Sequence, residues 1–136
     1  MAKATIINSN GPVITPAAGA TLASVTVAAA QAKGWQNGTV FYFKIVAYIN
    51  GTTVETVDDD NVKILENGTQ IAAGISVPSN PTSGTPASPT VFEGNAIWNG
   101  VNAPIQIETI GAGTTGSVYH ATVMATQIDT TDDLPT

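Results

Sequence analysis

The chain has 136 residues, no cysteine and a formal charge of −6 at pH 7, and only 10% of its side chains are charged, against a typical ~25%. That length suits one domain with a hydrophobic core of its own, and the missing thiols exclude disulfides and thiolate metal sites. Its basic residues are four lysines with no arginine, so it lacks the guanidinium clamps and basic stripe that gripping nucleic acid requires.

In chain order, residues 4–8 (ATIIN) read as a short first strand, closed by Asn10-Gly11-Pro12. Residues 13–15 continue extended, because Pro12 and Pro16 both disfavour helix. Residues 21–28 alternate Ala23, Val25 and Val27 against Ser24 and Thr26, a strand pattern. The alanine-rich residues 28–33 before Gly34 predict one or two helical turns closed by a C′ glycine.

The chain is organised around residues 39–57 (TVFYFKIVAYINGTTVETV). Phe41, Phe43, Ile45, Ala47 and Ile49 make one face of an extended strand continuously apolar, while Val40, Tyr42, Lys44, Val46 and Tyr48 form a mixed second face. Asn50-Gly51 predicts a type I′ turn and a returning strand. An acidic corner follows at Asp58-Asp59-Asp60-Asn61. A second hairpin is expected about Asn67-Gly68, joining residues 62–66 to 69–77, with Ile71, Ala73, Ile75 and Val77 on its buried face.

Residues 79–89 (SNPTSGTPASP) hold three prolines and no large side chain, and read as an exposed irregular stretch. A third hairpin is expected from residues 90–98 and 101–110 about Asn99-Gly100. Pro104 lacks an N–H, which puts the second arm at a sheet edge or turns that position out of the ladder. After a turn at residues 111–116, a last strand spans 117–128. Tyr119, Ala121, Val123 and Ala125 share one of its faces; His120, Thr122, Met124 and Thr126 share the other. Residues 129–136 form an acidic tail.

About eight short strands with tight turns predict an all-β fold, an antiparallel β-sandwich of jelly-roll or Ig-like type. Its divisions are an extended N-terminal arm or first strand over 1–20, the sandwich over 21–128 and the tail over 129–136. No run reaches the ~18 apolar residues of a membrane helix. MAKATIIN has no hydrophobic stretch long enough for a secretory signal. The expectation is a chain made in the cytoplasm, with no membrane partner.

Reactive chemistry finds little support. His120 is the lone histidine and sits within a strand, where Ser117, three residues away, faces the opposite side. Glu55, Glu66, Glu93 and Glu108 supply carboxylates by count, but Glu55 and Glu108 occupy outward strand positions. Asp58 to Asp60 lack the glycine and terminal glutamate of an EF-hand; an acidic turn that discourages stray strand pairing accounts for them better than a cation site. Asn37, Asn50 and Asn67 begin N-glycosylation sequons, which their turn roles explain. The Gly111 to Gly116 loop precedes a strand and lacks the lysine of a phosphate cradle. The reading is a non-enzyme with no cofactor and no metal.

What remains is a charge-poor β-surface suited to packing against other protein. The candidate contacts are Tyr42 and Tyr48 on the mixed face, Trp35, and Pro81 and Pro86 in the irregular stretch.

As a type, the chain resembles virion accessory proteins of tailed bacteriophages, in particular capsid decoration (cement) proteins. The resemblance lies in the MAKATIIN start, the turn-punctuated strands of residues 39–57, the SNPTSGTPASP loop and the SVYHATVMATQID ending. It implies a sandwich that binds the major capsid protein on the outer shell, often as a homotrimer, clamping neighbouring subunits with an extended arm. Residues 1–20 are the natural arm and the Pro-rich loop the second candidate. The location implied is the virion surface. The competing expectation is a carbohydrate-binding or adhesion sandwich, which requires exposed aromatic platforms from Trp35, Trp98, Tyr42 or Tyr119.

Overall fold

A computed structural model describes residues 5–51, 62–75, 89–113 and 115–128. The described strands are β1 (Thr5–Asn8), β2 (Val13–Ile14), β3 (Thr21–Val25), β4 (Val40–Gly51), β5 (Val62–Glu66), β6 (Thr69–Ile75), β7 (Thr90–Ile97), β8 (Ile105–Thr109) and β9 (Ser117–Gln127), with one helix, α1 (Val27–Ala32). They form an antiparallel β-sandwich. The front sheet runs β1-β9-β4-β7, with β2 also on β9; the back sheet runs β3-β8-β5-β6.

The alternating pattern of β4 and β9 places the core. Phe41, Phe43, Ile45, Ala47 and Ile49 point inward beside Tyr119, Ala121, Val123 and Ala125, and the back sheet answers with Leu22, Val25, Ile64, Ile105 and Ile107. Burying one such aliphatic or aromatic side chain contributes roughly 1.5–3 kcal/mol, so this stripe is the main source of stability. Trp35, Phe41, Phe43 and Phe92 continue it as a run of ring contacts 5.2–6.2 Å apart. Gly94 lies against the Phe43 ring, where a Cβ would approach to 3.1 Å.

Helix α1 forms where the alanine run predicts it. Thr26 caps its start by accepting the Ala29 N–H at 3.0 Å, and Gly34 (φ 81°) follows its last turn. The Asn67-Gly68 hairpin is also present: both residues have positive φ, 52° and 81°, as a type I′ turn requires. Two register shifts on β6 leave Ile71 exposed rather than on the expected buried face.

Two expected hairpins differ. Asn50 and Gly51 do not turn: β4 continues through them, paired with Val118 and Ser117 of β9. From Phe41 to Ala47 both edges of β4 are taken, by β9 and β7, because a long β9 supplies ladder partners that outweigh a local turn preference. The proposed return arm, residues 52–57, lies outside the described residues, as do the second arm beyond Ile75 and the Asp58 to Asp60 corner.

The Asn99-Gly100 pair makes no hairpin either. β7 belongs to the front sheet and β8 to the back one, so residues 98–104 cross between layers. Asn99 directs the crossing, its Oδ1 accepting the N–H groups of Val101 and Asn102 at 2.9 and 3.0 Å. Strand β8 is central, between β3 and β5, and not an edge; Pro104 precedes it, buried, so its missing N–H costs the ladder nothing.

At the N-terminal end of the described residues, β1 and β2 pair with β9, and Ile6 enters the core.

Candidate interaction surface

The strand period that buries one face of β4 exports the other, and four strands bring these outward side chains into cross-strand rows. Ile7, Met124, Lys44 and Glu93 form one row, and Thr5, Thr126, Tyr42 and Asn95 the next. Val46 lies between Thr122 and Val91, Val40 beside Ile97, and Ile14 beside Val118. Ile7, Ile14, Val91 and Ile97 are among the exposed large hydrophobics. Among the described residues of this face, only Lys44 and Glu93 carry a formal charge at pH 7.

Its two tyrosines are held differently. The Tyr42 hydroxyl donates a hydrogen bond to the Glu93 carboxylate. That bond, then desolvation, then the carboxylate's charge all push the Tyr42 phenol above its ordinary range. Tyr48 instead stacks on His120, with ring centroids 4.4 Å apart and planes within 8°. Burial in that stack lowers the His120 pKa, because the imidazolium loses hydration.

The other candidates do not converge. Ser117 is fully buried while His120 faces outward, so the pair diverges as expected. Glu108 is held by Lys63 at 3.6 Å on the back sheet, Glu93 lies on the front sheet, and Glu66 ends β5, its pKa raised by burial. Glu55 lies outside the described residues. No group of three or more His, Cys, Asp or Glu side chains gathers among the described residues. Within the glycine loop, the Gly113 N–H is spent on the Pro16 carbonyl at 2.7 Å. No helix is long and apolar enough to cross a membrane among the described residues.

Among the proposed contacts, Tyr42 and Tyr48 lie on the outer face, whereas Trp35 is in the core at 2% exposure and presents no surface. Pro81 and Pro86 lie outside the described residues. Trp98 and Tyr119 are equally buried, so three of the four rings that a glycan platform would draw on point inward. A shallow cleft of about 340 Å³ opens beside Trp35 and Trp98, rimmed by Gln31, Gln36, Asn37 and Asn99. The Trp35 indole N–H is buried there without a hydrogen-bond partner among the described residues.

Sequence reasoning missed Asn67 as more than a turn residue. Its carboxamide donates to the Ile97 carbonyl at 2.8 Å and accepts the Asn99 N–H at 3.0 Å, tying the back-sheet hairpin to the front sheet. Local pattern carries no signal for a bond thirty residues away. No protein-family model and no curated protein matches the chain.

Proposed function

We propose that the chain is a non-enzymatic virion structural protein that binds the outer surface of a tailed-phage capsid and stabilises it, with the major capsid protein as partner. The observation that supports this reading is the outer face of the front sheet, where exposed Ile7, Ile14, Val91 and Ile97 stand among threonines and tyrosines and, among the described residues, Lys44 and Glu93 are the only formal charges, on a chain of net charge −6. Such a face loses little by desolvation and gains by packing against protein.

Four strands ~4.8 Å apart and about nine residues long give a footprint of roughly 500 Å², below the ~800 Å² per partner of a standard complex. One copy therefore binds weakly. Many copies bridging subunit seams reinforce the shell through multivalency, with no bond made or broken.

The test adds the protein to undecorated shells and follows their disruption temperature. The expected result is a saturable rise that Val46→Asp abolishes, with circular dichroism checking that the variant stays folded at the binding temperature. Absence of shell binding, or binding to a glycan array instead, overturns the reading.

A further inference from the structure

The front sheet ends in a strand whose one charge, Glu93, is its only usual edge defence. β7 reads TVFEGNAI, with no lysine and no proline, and its eight pairs with β4 run without a register shift. Edge strands ordinarily carry charges, prolines or bulges that prevent foreign pairing; β6, at the edge of the back sheet, has two register shifts. Among the described residues, β7 has a strand neighbour on one side only.

The backbone groups at this edge can be assigned. Trp98 donates its N–H to Thr39 at 2.8 Å, so the even positions bond toward β4 and the odd ones point outward. The Ile97 carbonyl agrees, since it meets Asn67 from outside the sheet. Val91, Glu93 and Asn95 therefore present their N–H and C=O groups on the side away from β4, which has no strand partner among the described residues.

We propose that this edge pairs with the same edge of a second copy, antiparallel about a two-fold axis at Gly94, to make one continuous sheet. Only registers that keep inner faces together are allowed, because a one-residue slip turns every side chain over. Centring on Glu93 sets two carboxylates opposite each other. Centring on Asn95 sets each Glu93 against an Ile97. Centring on Gly94 sets Glu93 against Asn95, Phe92 against Ala96 and Val91 against Ile97, so that large meets small and the carboxylate meets an amide. Val91 and Ile97 are 52% and 61% exposed in the single chain, and this register lays each beside the other. Glu93 and Asn95 then exchange both backbone hydrogen bonds, twice across the axis.

The two-fold stands normal to the sheet, so both outer faces look the same way and double the docking area. The pairing depends only on the edge and not on the capsid reading; it gives a dimer where the resemblance implies a trimer.

The test is sedimentation equilibrium of the wild type, Asn95→Lys and Asn95→Glu. Wild type is expected to show a reversible monomer–dimer equilibrium. Asn95→Lys meets Glu93 of the other copy twice and tightens the dimer; Asn95→Glu loosens it, each by between about twofold and thirtyfold. Exposed Asn95 leaves the fold intact, which circular dichroism checks. The double variant Glu93→Lys/Asn95→Glu restores opposite charges and is expected to recover dimerisation. A monomer at all concentrations, a trimer, or two Asn95 variants shifting the equilibrium the same way overturns the proposal.

Discussion

The two long sides of the sandwich are closed by different means. On the β1–β3 side the layers are joined repeatedly: Asn8 Oδ1 accepts the Ser24 N–H at 3.0 Å, and Asn10 donates from backbone and side chain to Leu22 and Thr21. Further along, buried Thr109 donates its hydroxyl to the Ala17 carbonyl and accepts the Ala20 N–H. On the β6–β7 side, Asn67 bridges one end. One side thus spends its edge groups within the chain; on the other, among the described residues, β7 pairs with β4 alone and without a register shift. A closed side contributes to folding, whereas an open one is where association can begin.

The largest effect is expected on the closed side. Thr109→Val preserves shape but removes two hydrogen bonds from a fully buried side chain and leaves the Ala17 carbonyl and Ala20 N–H only their 3.2 Å bond to each other, costing about 2–3 kcal/mol, read by urea denaturation. Asn8→Ala strips the Ser24 N–H of its partner in a half-buried setting, at about 1–2 kcal/mol. On the open side, Asn67→Gly keeps the positive-φ turn but removes the bridge to Ile97 and Asn99, at about 1 kcal/mol or slightly more. If Thr109→Val costs no more than Asn67→Gly, the contrast between the sides is lost.

Smaller effects test the outer face. Glu93→Gln removes the charge and the strong acceptor that hold the Tyr42 phenol up. Ultraviolet titration should then show one of the three tyrosines moving down towards its ordinary pKa, with the melting temperature almost unchanged. The weakest effect is that of His120. Its folded pKa lies below the unfolded value, so between the two the unfolded chain binds more protons. Stability is full above the unfolded pKa of about 6.5 and declines as pH falls toward the folded pKa. Thermal melts from pH 7.5 to about 5 should fall less for His120→Gln than for the wild type.

Much of this architecture is written locally. Period-two alternation in β4 and β9 determined which side chains enter the core and which form the outer face, because side-chain direction along an extended strand follows from covalent geometry. The alanine run and Thr26 specified α1, and Asn67-Gly68 specified its turn, since both rest on the preferences of a few adjacent residues. Partner choice was not local. Asn50-Gly51 has the same turn chemistry as Asn67-Gly68, yet β9 draws it into a ladder; Asn99-Gly100 becomes a crossing because Phe92, Ala96 and Trp98 pack on the front-sheet side while Ile105 and Ile107 pack on the back. Trp35 reads as a surface candidate in one dimension and is core in three. A sequence states what each strand turns inward, but which strand lies beside it depends on long-range ladder and packing energies that only the assembled sandwich can compare.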